Sequence, residues 1–142
     1  MRKIVLHSAL LIGVVLLAGC NDGAPILPFT TDGCSDFPDG TPRHRQIWRD
    51  CCVAHDRAYW RGGTYDERLE ADRALQACVA VTGERAIARI MLAGVRVGGS
   101  PWWPSRFRWG YGWPWPRGYA PLTAAERAQA NQALRQPPAP AP

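Results

Sequence analysis

The first apolar stretch of the chain is short and lies directly behind two basic residues at the N-terminus. Residues 4–17 are apolar except for His7, Ser8 and Gly13. A run of this length is too short to cross a membrane as a helix, and positive charge at its front is typical of an export signal. The pattern therefore predicts a signal sequence over residues 1–19.

The next apolar residues recur with helical spacing and predict a first helix. Thr41 followed by proline is a favourable start, because threonine caps a helix and proline is tolerated in the first turn. Two consecutive glycines end the pattern, so this helix is expected to run from residue 42 to Trp60. Its predicted inner face comprises Trp48, Cys51, Cys52, His55, Ala58 and Tyr59.

A capping box predicts where the second helix begins. Thr64 and Glu67 have the spacing at which each side chain binds the backbone amide of the other residue. A second helix is therefore predicted over residues 65–81. Because only a few residues separate it from the first helix, the two are expected to lie antiparallel. A third helix is predicted over residues 84–95, which completes a helical domain over residues 32–97.

The composition of the chain changes after this domain. Residues 98–121 contain many prolines and glycines, which exclude a long helix, and five of the seven tryptophans. A second capping box at Thr123 and Glu126 predicts a short C-terminal helix within residues 122–136. The tail over residues 137–142, rich in proline and alanine, is expected to be disordered or extended. The sequence thus predicts a mainly α-helical fold.

The charge of the chain argues against a protein that binds nucleic acid. Without the signal sequence, 15 basic residues stand against 12 acidic ones, and both kinds are spread evenly. Nucleic-acid-binding proteins concentrate basic residues on one face. The sequence allows no inference about a protein partner.

The signal sequence ends at a possible lipidation site. Residues 17–20 read Leu-Ala-Gly-Cys, which resembles a lipobox, in which the cysteine is lipidated and becomes the new N-terminus. Acyl chains on Cys20 would anchor the protein in the cell envelope, with residues 20–31 as a tether. Asn21 favours the outer membrane over the inner one. The alternative is an ordinary signal sequence that ends beside a chance cysteine.

The number of remaining cysteines is even. Cys34, Cys51, Cys52 and Cys78 predict two disulfides in an oxidising compartment, with three possible connectivities. A zinc site formed by Cys34, Cys51, Cys52 and His55 is the competing interpretation. Export favours the disulfides.

The candidate catalytic residues and the cysteines of the first two helices fall into one antiparallel register. Residues that face each other in such a pair have a nearly constant sum of residue numbers. The pairs His55–Asp72, Tyr59–Asp72 and Cys51–Cys78 share nearly the same sum. One register therefore predicts a His–Asp contact, a Tyr–Asp contact and two cysteines within reach of each other.

The same residues resemble the phospholipase A2 family of the secreted, calcium-dependent type. The catalytic helix of that family reads Cys-Cys-x-x-His-Asp-x-Cys-Tyr, and residues 51–59 read Cys-Cys-Val-Ala-His-Asp-Arg-Ala-Tyr. The partner helix reads Cys-Asp-x-Ala-Ala-x-x-Cys, and residues 71–78 read Ala-Asp-Arg-Ala-Leu-Gln-Ala-Cys. Ala58 and Ala71 stand where the family has two cysteines bonded to each other. The resemblance covers residues 34–78.

This resemblance implies hydrolysis of phospholipid acyl esters without a covalent intermediate. His55 is the implied general base that activates water, a role that suits imidazole because it titrates near neutral pH. Asp72 is implied to hold the imidazole of His55, and Tyr59 to hold Asp72. The implied disulfides are Cys34–Cys52 and Cys51–Cys78.

The resemblance also implies a calcium ion. Asp56 would bind this ion together with backbone carbonyls of residues 32–40. The ion would polarise the ester and stabilise the oxyanion. The loop is similar to the shorter Asp/Pro loops of bacterial relatives rather than to the glycine-rich loop of animal enzymes. Its residues predicted to contribute ligands are Gly33, Ser35, Asp36 and Asp39. The side chain of Asp36 or Asp39 could add a carboxylate ligand, and the alternative is that either residue simply forms a turn.

Two questions of function stay open at the level of sequence. A protein with this scaffold could be catalytically inactive and bind lipid or an envelope partner instead. The aromatic segment could dock on a phospholipid membrane surface, where tryptophan and arginine are favoured, or could cover the backs of helices in a small domain. The tryptophans of this segment are Trp102, Trp103, Trp109, Trp113 and Trp115.

Overall fold

Four α-helices make up the regular secondary structure of the computed structural model, which describes residues 23–139. They are α1 (Arg49–Arg61), α2 (Tyr65–Val81), α3 (Arg85–Gly98) and α4 (Ala124–Ala133). Within the described residues there is no β-strand, and an isolated parallel bridge joins Thr30 to Ala139. The prediction of a mainly helical fold is confirmed.

α1 begins later than the sequence predicts. The expected start lies directly after Thr41, but the chain first forms a set of turns and the helix begins at Arg49. Thr41 does act as a cap, since its Oγ1 accepts a hydrogen bond from the His44 amide at 3.0 Å. The Trp48 amide then donates to the carbonyl of Asp39 at 3.1 Å, which holds the chain in the turn. The predicted N-cap therefore stabilises an isolated turn and not the helix.

Both predicted capping boxes are present. Thr64 Oγ1 accepts from the Glu67 amide at 3.2 Å, and the Glu67 carboxylate accepts from the Thr64 amide at 2.7 Å. Thr123 and Glu126 form the same two bonds at the start of α4, at 3.2 and 2.8 Å. These bonds satisfy amides that lack a partner in the first helical turn, so the starts of α2 and α4 agree with the prediction.

Three helices and two disulfides enclose the main apolar core. Cys51 on α1 is bonded to Cys78 on α2, and Cys34 in the preceding loop is bonded to Cys52. α3 packs against α2 and ends at Gly98, three residues beyond its predicted end. The expected disulfides are both confirmed. Buried residues of this core include Trp48, Leu75, Val79, Ala88 and Met91.

The predicted tether is only partly separate from the domain. The sequence predicts a tether over residues 20–31, but residues 26–31 contact the helices and the aromatic segment. Phe29 is 3% exposed, and its ring meets that of Trp60 edge-on with 5.8 Å between centroids. The Trp60 indole donates to the carbonyl of Leu27 at 2.9 Å. The burial of Phe29 explains why this stretch packs against the domain.

The C-terminal tail runs beside this N-terminal segment. The Ala139 amide donates to the carbonyl of Phe29 at 2.8 Å, so the described part of the tail, residues 137–139, is extended and docked. The predicted signal sequence and Cys20, the predicted lipidation site, lie outside the described residues. Between residues 23 and 139, no helix has the length and apolar character needed to span a membrane.

Two of the five tryptophans considered for a membrane interface belong to the interior. Trp109 and Trp113 are 1% and 2% exposed. Their indole groups donate to the carbonyls of Gly63 at 2.9 Å and Arg61 at 2.7 Å, where α1 ends. Arg61 is the last residue of α1, so its carbonyl lacks a partner in the helix and the Trp113 indole supplies one, whereas the Trp109 indole binds the connection that follows the helix. The interface prediction is therefore wrong for Trp109 and Trp113.

Candidate active site

His55 and Asp72 form a buried pair between α1 and α2. His55 Nε2 lies 3.0 Å from Asp72 Oδ1. Asp72 is fully buried, and His55 is 8% exposed. The disulfide between Cys51 and Cys78 holds the same two helices one turn away. The contact is thus found in the antiparallel register that the sequence predicts.

Tyr59 joins this pair from the next turn of α1. Its hydroxyl donates to Asp72 Oδ1 at 2.7 Å, and its ring centroid lies 4.2 Å from that of the His55 imidazole. Burial and, after it, the negative charge of Asp72 hold the pKa of Tyr59 well above its ordinary value. The hydroxyl is therefore a neutral donor, and it shares Oδ1 of Asp72 with His55.

Two arginines outside the set of predicted site residues face the other oxygen of Asp72. Arg96 Nε on α3 lies 2.7 Å from Oδ2, an ion pair that lacks the alignment of a hydrogen bond, and Arg68 Nε lies 4.0 Å from it. Arg68 precedes Asp72 by four residues, a spacing typical of helical ion pairs that could have identified it. Arg96 comes from a different helix, and no pattern in the sequence pairs it with Asp72.

A cavity of about 730 Å³ opens beside the imidazole. Because Asp72 occupies Nε2 of His55, Nδ1 is the ring nitrogen left to act on a molecule in the cavity. The size and the largely apolar wall suit a ligand with a hydrocarbon chain. The apolar lining includes Leu27, Phe37, Ile90, Met91, Val95 and Phe107.

Asp56 lines the same cavity in surroundings that disfavour its negative charge. The Thr31 hydroxyl donates to Asp56 Oδ2 at 2.6 Å. The pKa of Asp56 is nevertheless raised to about 7, mainly by burial and then by the charges of Asp32 and Asp39. A bound cation would relieve this accumulation of negative charge. The sequence predicts Asp32 only as part of the loop backbone, but its negative charge also raises the pKa of Asp56.

Three of the predicted loop ligands lie on the cavity. Gly33, Ser35 and Asp36 are all part of its lining. The Ser35 hydroxyl donates to Asp32 Oδ1 at 2.5 Å. Gly33 and Asp36 both have positive φ angles, 85° and 55°, so the loop turns sharply at both positions. Gly33, Ser35 and Asp36 therefore line the cavity that Asp56 also lines.

The fourth predicted ligand, Asp39, has other partners. Its Oδ1 accepts from the Cys34 amide at 2.8 Å, and its Oδ2 lies 3.6 Å from Arg49 Nε. The Asp39 side chain therefore holds the loop, and its expected role as a direct ligand is not supported. Among the described residues, no cluster of three His, Cys, Asp or Glu side chains could hold a metal ion. A cation beside Asp56 would need backbone carbonyls and water as further ligands.

The competing zinc site is excluded by the disulfides. All three cysteines proposed for it, Cys34, Cys51 and Cys52, are oxidised in disulfides. Zinc binds the thiolate form of cysteine, which a disulfide does not provide. Calcium therefore stays as the metal that the sequence resemblance implies.

The other three tryptophans are exposed. Trp102, Trp103 and Trp115 have 62%, 64% and 53% of their surface accessible. Trp102 and Trp103 lie in the chain between Gly99 and Arg106, both of which line the cavity. The first two exposed indoles therefore lie close in the chain to the cavity wall.

No family model matches the chain, and neither the curated proteins nor the solved structures contain a match. The function is therefore inferred from the residues around His55, their contacts and their chemistry.

Proposed function

We propose that the protein hydrolyses acyl esters of phospholipids, as its resemblance to phospholipase A2 implies. The observation that carries this proposal is the placement of His55, whose Nε2 faces Asp72 and whose ring borders an apolar cavity. A general base must be held in one orientation within reach of the water that it deprotonates. The contacts of His55 with Asp72 and Tyr59 supply this orientation.

In the proposed reaction, Nδ1 of His55 takes a proton from a water molecule while the water oxygen attacks the ester carbonyl carbon. Asp72 holds the proton on Nε2 and stabilises the imidazolium that forms. When the tetrahedral intermediate collapses, the bond from carbon to the alcohol oxygen breaks, and His55 returns its proton to that oxygen. The products are a fatty acid and a lysophospholipid, and no bond to the protein is formed.

A calcium ion fits the oxygen donors around Asp56. Calcium prefers oxygen ligands and accepts backbone carbonyls and water beside a single carboxylate. Asp56 and carbonyls of residues 32–40 would hold it, and Asp32 would add negative charge nearby. When bound, the ion supplies polarisation of the ester carbonyl and stabilisation of the oxyanion.

We propose a phospholipid membrane surface as the source of substrate. Leu27 and Ile90 line the cavity and are nevertheless 56% and 58% exposed, so apolar surface continues from the cavity to the outside. Trp102 and Trp103 add exposed indoles, which favour the interfacial region of a bilayer. Lipidation of Cys20 would anchor the protein in a membrane of the cell envelope, the outer membrane in preference.

One observation favours the alternative of an inactive lipid-binding protein. Asp39, predicted as a calcium ligand, is bound to the Cys34 amide and to Arg49 instead. If the loop does not hold calcium, the apolar cavity could still bind lipid without cleaving it. Activity measured with and without calcium separates the two functions.

Fatty acid release from mixed phospholipid vesicles tests the proposal. Residues 21–142 are assayed with and without calcium, beside the variants His55→Gln and His44→Gln. His44 is exposed and makes a matched control. We expect calcium-dependent release that His55→Gln lowers about a hundredfold or more and that His44→Gln leaves unchanged. Absence of release in excess calcium, or release that survives the change of His55, would show that the proposal is wrong.

A further inference from the structure

The two carboxylate oxygens of Asp72 contact chemically different groups. Its Oδ1 accepts hydrogen bonds from His55 and Tyr59, at 3.0 and 2.7 Å. Its Oδ2 faces the guanidinium groups of Arg96 and Arg68, at 2.7 and 4.0 Å. The terminal torsion of an aspartate side chain is broad, so contacts at one oxygen leave the carboxylate plane free to rotate. Contacts at both oxygens fix this plane.

Arg96 reaches Asp72 from the last turn of α3. Its Nη2 donates to the carbonyl of Leu69 at 3.3 Å, which ties the guanidinium to the backbone of α2. One third of the Arg96 side chain is exposed, whereas the Asp72 side chain is fully buried. Arg96 is also the closer of the two cations to Oδ2, and the attraction between charges falls with distance. Arg96 is therefore the group that most directly constrains this oxygen.

Arg68 has a different role because its hydrogen bonds are directed elsewhere. Its Nε donates to the Tyr59 hydroxyl at 3.0 Å. Its Nη2 donates to the carbonyls of Val95 and Arg96 at 2.8 and 2.9 Å, near the end of α3. Arg68 is itself 4% exposed, so these bonds satisfy a buried cation. It fixes the end of α3 against α2 and thereby brings Arg96 to Asp72.

We infer that Arg96 is a positioning residue, which holds the Asp72 carboxylate in the orientation that presents Oδ1 to His55. The kinetic consequence rests on the proposed function, but the orientation can be observed without catalysis. Within the described part of the chain, the cavity lining does not include Arg96. Loss of its guanidinium should therefore lower turnover and leave the affinity for substrate nearly unchanged.

Three variants separate the charge of Arg96 from its bulk. Arg96→Gln removes the charge and Arg96→Lys keeps it. Arg89→Gln is the matched control, because Arg89 is exposed on the same helix. Each folded protein is measured in two ways: the NMR resonance of the Nε2 proton between His55 and Asp72, and the steady-state hydrolysis of phospholipid vesicles with calcium.

We expect Arg96→Gln to shift or broaden the Nε2 proton resonance. The same variant should lower kcat about tenfold or more with KM changed less than about twofold, since a small misplacement of a catalytic group is costly. Arg96→Lys should restore the resonance and most of kcat, and Arg89→Gln should alter neither. Unchanged resonance and kcat in Arg96→Gln, or a change in KM alone, would overturn the inference.

Failure of the proposed function gives a different result. If the unsubstituted protein releases no fatty acid, the hydrolase proposal is wrong, and the resonance alone decides the role of Arg96. If Arg96→Gln does not fold, Arg96→Met, which keeps an unbranched aliphatic stem, is measured in the same way. If neither variant folds, Arg96 is a requirement of the fold and the inference is overturned.

Discussion

At the scale of single residues, the site gathers donors and cations around one buried carboxylate. Asp72 has no exposed surface, yet Oδ1 accepts from His55 and Tyr59 and Oδ2 faces two arginines. Burying a charge is costly unless nearby groups compensate it, and removal of one partner leaves the others uncompensated. Asp72 is therefore expected to contribute to stability as well as to activity.

The variant Asp72→Asn keeps the shape of the side chain and removes its charge. We expect kcat to fall about a thousandfold, because an amide does not hold the imidazole tautomer as a carboxylate does. The free energy of unfolding should fall by about 3 kcal/mol, because the arginines lose their partner. Asp66→Asn, at an exposed position of α2, should change neither quantity much. Urea unfolding and vesicle hydrolysis measure the two effects, and an unchanged kcat would contradict the role of Asp72.

Asp56 makes the stability of the protein depend on pH. The pKa of Asp56 in the folded protein is raised from 3.8 to about 7, mainly by burial and then by Asp32 and Asp39. A carboxyl whose pKa is raised contributes stability that is fully present below its unfolded value and is lost as pH rises through its folded value. Without a bound cation, the stability of the protein should therefore decrease between about pH 4 and pH 7.

Calcium should oppose this loss, because the cation and the proton compete for Asp56. The apparent calcium affinity should rise up to about tenfold per pH unit below about pH 7 and level off above it. Titration calorimetry across this range measures the affinity. Asp56→Asn should abolish the pH dependence, whereas Asp50→Asn, at an exposed position of α1, should retain it. A calcium affinity that does not vary with pH would contradict Asp56 as the ligand.

At the scale of elements, the two disulfides connect different parts of the site. Cys51–Cys78 joins α1 to α2 across a sequence separation of 27 residues, and Cys34–Cys52 joins the loop of residues 32–40 to α1 across 18 residues. Loop-closure entropy assigns each bond about 3 kcal/mol, with a weak dependence on loop length. The two disulfides should therefore contribute similarly to stability and differently to function.

Alanine variants of each cysteine pair separate these contributions. Either double change should lower the free energy of unfolding by about 3 kcal/mol, measured by urea unfolding. Loss of Cys34–Cys52 should raise the calcium concentration required for half-maximal hydrolysis, because the loop beside Asp56 is released. Loss of Cys51–Cys78 should chiefly lower kcat, because the helices that carry His55 and Asp72 are loosened. Identical effects of the two changes on calcium dependence would contradict this division.

The elements that the sequence predicts well are those with local signals. α2 and α4 begin at their predicted residues because each capping box is formed by two side chains three residues apart. The contact of His55 with Asp72 was also predictable, since a short connection and helical spacing define the register. The start of α1 was not, because Thr41 caps a turn that Asp39 holds in place through Trp48.

Contacts between distant elements were beyond the reach of sequence patterns. Arg96 meets Asp72 only because α3 packs across α2. Trp109 and Trp113 lie in the same proline- and glycine-rich segment as the exposed tryptophans, and only their hydrogen bonds to backbone carbonyls at and just after the end of α1 distinguish them. Phe29 likewise becomes a core residue through Trp60, which is more than thirty residues away. Such pairings depend on how the helices pack, which local periodicity does not define.

At the scale of the whole molecule, the proposed anchor and the cavity are close along the chain. Leu27, Pro28, Thr30 and Thr31 line the cavity. From Cys20 to Leu27 the chain spans at most about 25 Å when fully extended. If Cys20 is lipidated as proposed, the cavity stays near the membrane that holds the anchor. The exposed indoles of Trp102 and Trp103 would then contact a surface that is already within reach.

The double variant Trp102→Ala with Trp103→Ala tests this arrangement. In residues 21–142, which lack the anchor, we expect vesicle affinity to fall about tenfold or more, because two exposed indoles no longer enter the interface. Val81→Ala is the control, since Val81 is 88% exposed and is not part of the cavity lining. Hydrolysis of a monomeric short-chain phospholipid should stay unchanged, because His55 and the cavity wall are intact. Vesicle binding by the double variant at full strength would place the membrane contact on another surface, whereas loss of monomer hydrolysis would show that the tryptophans support the site itself.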